Sequence, residues 1–224
     1  MAGDRGELRQ RLAHVFWIGG PPDAGKSTVA DLLAEWFGLR AYHFDRHEMD
    51  HLARADPLRH PKLYRLKEQL TDLGEPAWLE LDWVHPTPEE MAGRATATWS
   101  ERVGLAVEDL LALPADRPIV AEGPGFFPRA LRPFLASPHH AVFLVPTRAF
   151  KLASHERRGK SRGRGERTSD PARYRANHIA RDLLMAEAYR QDVPDADLRL
   201  IEVDGTQSAD EVARSVAQHF GLAV

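Results

Sequence analysis

Eight consecutive residues, Gly20-Pro-Pro-Asp-Ala-Gly-Lys-Ser27, have the types and spacing that suit chemistry on a phosphate chain. They match the Walker A pattern Gly-x-x-x-x-Gly-Lys-Ser in full. Gly20 and Gly25 let the backbone curl until several N–H groups face one anion, with Ala24 between them. The helix expected after the loop adds the positive end of its dipole, and Thr28 falls in its first turn. Lys26 supplies a full positive charge to the β- and γ-phosphates, and the Ser27 hydroxyl is placed to ligate Mg²⁺. Asp23 is out of character, being a carboxylate inside a loop that attracts phosphate. As a member of the cofactor-binding loop it must point to solvent, or it weakens triphosphate binding.

Three further groups of residues could act with the loop. Asp45 follows an apolar segment at the edge where open α/β sheets bind ligands. A carboxylate there can take the proton of an acceptor hydroxyl, or orient that hydroxyl for in-line attack. Asp45 also suits a helix N-cap, and the two roles are compatible. His47 and Asp50 follow it and suit contact with acceptor or metal, or a solvated polar role. Glu122 ends a second apolar segment, where an acid can hold Mg²⁺ directly or through water or serve the structure alone. The run His155 to Arg167 carries Arg157, Arg158, Lys160, Arg162, Arg164 and Arg167 between three glycines. Such a hinged basic loop can close over a triphosphate, stabilise transferred charge and exclude water. The alternatives are a solvated basic loop or a nucleic-acid patch. Arg181, on the helix leaving it, could reach back to the phosphates.

The elements that must position these groups are legible in outline. Short β-rich runs occur at 14–18, 40–44, 118–121, 141–145 and 198–203, each leading into a loop. Between them lie helical patterns: Val29, Leu32, Leu33 and Trp36 before Gly38; Met91 to Leu110 behind the capping box Thr87-Pro88-Glu89-Glu90; a helix from Pro171; and a last one opened by Ser208 and Glu211. Alternating strands and helices imply a parallel sheet covered on both faces. The stretch from about 56 to 86 fits the rhythm least and reads as an inserted helical lobe or lid. With 224 residues, 43% hydrophobic and 28% charged, the chain suits one globular domain. Its core would span about 13–55 and 115–224, an inserted acceptor lobe about 56–114 and a lid about 156–170. The formal net charge of −3 gives no reason to expect nucleic-acid or anionic-membrane binding. The absence of cysteine excludes disulfides and thiolate chemistry. No apolar run approaches the roughly 20 residues of a membrane helix. The polar first eleven residues lack the apolar stretch of a signal peptide, so a cytoplasmic location is expected.

A GTPase would carry Asn-Lys-x-Asp, yet the only asparagine, Asn177, precedes His178. The Asp-x-x-Gly switch motif is also absent, which turns the expectation toward ATP. The early loop, Asp45 after the second strand and the late arginine-rich segment resemble the nucleoside-monophosphate-kinase-like P-loop kinases. That group includes adenylate, shikimate and gluconate kinases and chloramphenicol phosphotransferases. The resemblance covers about residues 13–50 and 117–224. It implies an α/β three-layer sandwich with five parallel strands in order 2-3-1-4-5, and MgATP as cofactor. It also implies an acid at Asp45 acting on the acceptor, a basic lid after the fourth strand, and an adenine seat at Asp204-Gly205-Thr206. An acceptor lobe would lie after the second strand, where Trp78, Trp83, Trp99, His85, Glu90 and Arg94 are found. Trp99, on an apolar helical face, also suits a core role. Glu122 to Arg129 is similar to a lengthened Asp-Gly-Phe-Pro-Arg segment, which would carry Arg129 to the acceptor. The implied activity is transfer of the γ-phosphate of ATP to a small-molecule hydroxyl. If the acceptor is instead a nucleotide phosphate, Arg59, Arg65 or Arg94 should clamp it. A nucleotide-dependent switch or nucleic-acid-binding ATPase is the reading from another class. The implied partner is a small-molecule acceptor; monomer and homodimer both stay open.

Overall fold

The computed structural model describes residues 2–158 and 163–223, with the side chains of 2–5 and 158 outside that description. Helix α1 (Ala2–Arg11), which the sequence pattern does not announce, leads into β1 (Val15–Gly19). The glycine loop then opens α2 (Lys26–Phe37), which stops at Gly38 in the left-handed conformation. Strand β2 (Arg40–His43) passes through one 3-10 turn, Phe44–His47, into α3 (Glu48–Arg54). Helix α4 (Pro61–Leu79), a π turn at Glu80–Val84 and α5 (Pro88–Ala112) fill the interval before β3 (Ile119–Glu122). Then follow α6 (Pro128–Leu131), β4 (Ala141–Pro146), α7 (Arg148–Arg158), α8 (Pro171–Asp195), β5 (Arg199–Val203) and α9 (Ala209–Phe220).

The five strands form one parallel sheet in the order β2-β3-β1-β4-β5, as expected. Every residue of β3 and β4 is buried, which is why those segments read as continuous apolar runs rather than alternating ones. Successive β1 residues serve opposite layers. Trp17 packs with Phe126, Phe143 and the α5 residues Val103, Ala106 and Leu110, while Ile18 packs with Val29 and Leu33 of α2 and Val216 of α9. Burying each such aliphatic side chain contributes about 1.5–3 kcal/mol.

Both expected capping boxes form. Thr87 Oγ1 accepts from Glu90 N at 3.2 Å while Thr87 N donates to Glu90 Oε2 at 2.8 Å; Ser208 and Glu211 repeat the arrangement at α9. Between β2 and β3, α4 and α5 are both helical; Val103, Ala106, Val107 and Leu110 of α5 belong to the cluster that holds Trp17, while Leu105 belongs to the cluster of Leu52, Ala55 and Leu63. Helix α4 bends where Gly74 leaves helical geometry (φ 69°, ψ 165°), two residues before Pro76. Among the described residues, no helix is long and apolar enough to cross a membrane.

Candidate active site

The carboxyl ends of the strands set the site. Parallel pairing places Ile18, Glu122 and His43 at one level across β1, β3 and β2, so the loop after Gly19 emerges beside both polar side chains. Gly20 has φ 129°, and a Cβ there would lie 2.0 Å from the Leu144 carbonyl oxygen, so only glycine lets the loop leave the sheet this way. The chain then turns into α2, with Lys26 buried and its Nζ donating to Pro21 O at 2.8 Å. Ser27 Oγ donates to Glu122 Oε1 at 3.0 Å. His43 bridges the same Oε1 through Nδ1 at 2.9 Å and Asp31 through Nε2 at 3.1 Å. Burial works to raise the Glu122 pKa. The His43 hydrogen bond, the Lys26 charge and the Ser27 hydroxyl outweigh it and hold the carboxyl below its ordinary value. Ser27 and Glu122 line a cavity of about 70 Å³ together with Lys26 and Asp45. A hydroxyl and an ionised carboxylate in contact are hard oxygen donors, the type that suits Mg²⁺.

Asp23 does not point to solvent. Its φ is 66°, and its buried carboxylate accepts from Lys151 Nζ at 2.5 Å. Lys151, at the start of α7, also donates to Asp182 of α8, and Arg181 donates twice to the other Asp182 oxygen, at 2.9 and 2.6 Å. Burial would raise the Asp182 pKa, but Arg181, His178 and Lys151 reverse that and hold it well below the carboxylate range. Lys151 thus neutralises the loop's own carboxylate, which removes the conflict with a bound phosphate.

Two cavities of about 770 Å³ each flank the loop. On one side a groove runs past Gly25, Thr28, Phe150, Arg157, Asp204 and Gly205. Asp204 there spends its carboxylate on its own turn, accepting from Thr206 N at 2.9 Å and Thr206 Oγ1 at 2.7 Å. On the other side lies a cavity walled by Trp78, Trp83 and Trp99, which Arg94, Arg102, Arg164 and Arg181 also reach. Asp45 lines both this cavity and the small one over the loop. It sits inside the 3-10 turn rather than ahead of a helix.

Arg102 was not singled out by the sequence pattern. It is 1% exposed, donates from Nη2 to Phe44 O at 2.7 Å and from Nε to His51 Nδ1 at 3.3 Å, and stacks 4.1 Å above the Phe44 ring. Gly123 and Gly125 admit that ring; a Cβ on Gly123 would come within 2.3 Å of the Phe44 Cβ. His51, fully buried, meets Asp109 Oδ2 through Nε2 at 2.8 Å, which fixes the tautomer that lets Nδ1 accept from Arg102. Lys151, Asp182 and His43 were also passed over. The available signal was a charged residue at a position of an apolar helical face, as with Arg102 between Trp99 and Ala106.

Other expected residues lie elsewhere. His47 stacks on Tyr42 at 4.4 Å and lines none of these cavities. The Arg129 side chain is 80% exposed and 3.7 Å from Asp192, and does not line the large cavity. Arg59 pairs with Glu108 at 2.7 Å. Asp50, His51 and Asp109 bring ligand atoms within 4.8 Å of one another, but Arg54 donates to Asp50 at 2.9 Å and to Asp109 at 2.5 Å, making an ion-pair cluster. Arg162 lies outside the described residues and Arg158 outside the described side chains. Arg164 and Arg167 both pair with Glu75 of α4, at 3.1 and 3.0 Å.

No protein-family model and no curated protein matches the sequence. Solved structures are similar in shape. TT1252 from Thermus thermophilus is 21% identical with a TM-score of 0.51, over 94% of this chain and 98% of that one. Shikimate kinase from Acinetobacter baumannii in complex with shikimate is 18% identical with a TM-score of 0.46, over 96% of this chain and 95% of that one. At these identities the likeness concerns the fold alone. Five parallel strands in the order 2-3-1-4-5, with the glycine loop between β1 and α2, make this an α/β fold with a phosphate loop.

Proposed function

We propose that this chain is a phosphotransferase that moves the γ-phosphoryl group of ATP to a hydroxyl of a small molecule. The observation that carries the reading is the position of Asp45, shared by the phosphate-loop cavity and the large tryptophan-walled cavity. Lys26 and the loop N–H groups hold the β- and γ-phosphates. The groove past Phe150 and Asp204–Gly205 takes the base, with Thr28 and Arg157 at its edge. Ser27 and Glu122 would hold Mg²⁺, which when bound supplies charge neutralisation between the phosphates. Asp45 takes the proton of the acceptor hydroxyl as the new oxygen–phosphorus bond forms. The bond from the γ-phosphorus to the β,γ-bridging oxygen breaks, and its electron pair leaves with ADP. Arg157, Arg158 and Arg162 of the basic segment stabilise the transferred charge, and closure of that segment excludes water.

Arg65 and Arg94 on the large cavity favour a second reading, a nucleotide kinase whose acceptor oxygen belongs to a phosphate. That acceptor is already ionised, so Asp45 would matter little. The deciding experiment incubates the protein with MgATP and a panel of hydroxyl and phosphate acceptors and reads each by mass spectrometry. Gain of one phosphoryl group on a hydroxyl compound, absent with Lys26→Ala, supports the proposal. Gain only on monophosphates selects the second reading, and ADP production with no acceptor modified rejects both.

A further inference from the structure

Asn177 is the only asparagine in the chain, and it sits buried in the interior of α8. Asparagine is a poor helix former, because its amide competes for backbone groups. Here the amide is spent on another element. Nδ2 donates to the carbonyls of Trp83 at 3.0 Å, Val84 at 3.1 Å and Pro86 at 3.1 Å, across the end of the π turn. In a continuing helix those carbonyls would accept from the N–H groups four residues on. Thr87 N is instead spent on Glu90 Oε2, Pro88 has no N–H, and Glu90 N is spent on the Thr87 hydroxyl. The capping box that starts α5 thus removes the donors that would have finished the turn before it. Asn177 replaces them from 91 to 94 residues further along the chain.

The turn so held carries one wall of the large cavity. Trp78, Asp82 and Trp83 line it, whereas Asn177 does not. Trp83 lies 5.5 Å from Tyr174 and 5.0 Å from His178, and Arg181 covers it at 4.6 Å, all on α8. Leu79, Val84 and Tyr174 make a small core of their own with Trp78 and Trp83. The first part of α4 belongs elsewhere, since its Leu63 packs with Leu52, Ala55 and Leu105. Gly74 stands at the division, where α4 leaves helical geometry. Beyond Gly74 the chain therefore takes its position from α8. Glu80 adds a solvent-facing tie, accepting from Ser169 N at 2.5 Å and Ser169 Oγ at 2.7 Å. Bonds to a buried amide are stronger than bonds within reach of water, so Asn177 is the principal tie.

We infer that Asn177 is a positioning residue of the large cavity: its amide fixes the π turn on α8, and with it the Trp78 and Trp83 wall that any occupant meets. This role goes beyond the phosphotransfer proposal and does not rest on it.

The full chain carrying 5-fluorotryptophan reports the wall directly. Its five tryptophans give five fluorine signals, each assigned by replacement with phenylalanine. Asn177→Asp keeps the shape but sets acceptors against three carbonyls, and Asn177→Ala removes the amide without adding charge. Both should shift and broaden the Trp78 and Trp83 signals and leave those of Trp17, Trp36 and Trp99 in place. Amide exchange over 79–86 should rise about tenfold or more, with the strands unchanged. MgADP, followed by calorimetry, should bind within about twofold of wild type, because the groove at Asp204 shares no residue with the clamp. Unmoved Trp78 and Trp83 signals overturn the inference. So do five signals moving together, a matching loss of MgADP affinity, or loss of folded protein in both variants, each of which makes Asn177 a support of the whole fold. A substrate found by the acceptor panel should show a KM about tenfold higher with Asn177→Ala and an ATP KM within about twofold. An unchanged substrate KM overturns the inference as well. A panel in which no acceptor gains phosphate rejects phosphotransfer alone, and the fluorine and exchange results then decide the role of Asn177.

Discussion

The two cavities beside the phosphate loop have similar volumes and opposite construction. The groove at Asp204 is lined by small residues, Ala24, Gly25, Ala149, Ala153, Gly205 and Ala209, beside Phe150 and Arg157. The cavity at Asp45 is shaped by the long side chains of Trp78, Trp83, Trp99, Arg94, Arg102 and Arg181. A groove lined largely by small residues takes a flat ring by shape. A side-chain-walled cavity selects by charge and hydrogen bonding, and each wall residue can change what it accepts. Generality on one side of the loop and selectivity on the other is what a transfer between a common donor and a particular acceptor requires.

The comparison can be broken first at the phosphate loop that the two cavities flank. Lys26→Ala should lower phosphotransfer by about a thousandfold or more, with the unfolding midpoint little changed; turnover within tenfold of wild type would detach the loop from the chemistry. Next is the tie that holds the loop to the helices. Lys151→Met leaves the Asp23 and Asp182 carboxylates buried without their shared cation and should destabilise the fold by about 3–5 kcal/mol in denaturant unfolding. Adding Asp23→Asn should recover part of that loss, and a stable single variant would show the cluster to be dispensable. Asp45→Asn should cut kcat by about a hundredfold while the KM for ATP moves less than about twofold. A KM for ATP that rises as much as kcat falls would place Asp45 on the nucleotide side. To sharpen the contrast itself, Ala153→Leu should raise the ATP KM by about tenfold without touching the acceptor KM, and Trp83→Ala should do the opposite. The smallest effect concerns pH. Burial lowers the pKa values of His51, His140, His155 and His219. The unfolded chain then takes up protons at the ordinary histidine value before the folded chain does. Stability is therefore full above that value and falls as pH drops through it, by about 3 °C in Tm between pH 7 and pH 5. His51→Gln should flatten that slope, and a Tm independent of pH over this range would contradict the assignment.

Which parts were legible in the sequence follows the same division. The glycine loop, both capping boxes and the five strands are written in consecutive residues, because each depends on neighbours within about four positions. The large cavity joins the turn after β2 with α4, α5 and α8, and no local pattern records that meeting. Asp23 shows the limit most plainly. A carboxylate in a phosphate loop reads as solvent-facing until its cation is known, and Lys151 lies 128 residues away. His47 is suggested by its closeness to Asp45 and Arg129 by the likeness of its segment to Asp-Gly-Phe-Pro-Arg, yet the 3-10 turn directs one onto Tyr42 and α6 carries the other outward. Arg102 was hidden for the opposite reason. It occupies an apolar helical face where charge is rare, and only the stack on Phe44 and the bond to His51 explain its presence.

The Asp23–Lys151–Asp182–Arg181 chain has one more consequence. Its first member belongs to the phosphate loop, and its last covers the Trp83 ring at 4.6 Å on the wall of the large cavity. A ligand that moves Arg181 must redistribute charge shared with the loop, and a ligand that moves the loop must do the same to Arg181. Thermodynamic reciprocity then makes the two occupancies equal creditors: whatever factor nucleotide applies to acceptor affinity, acceptor applies to nucleotide affinity.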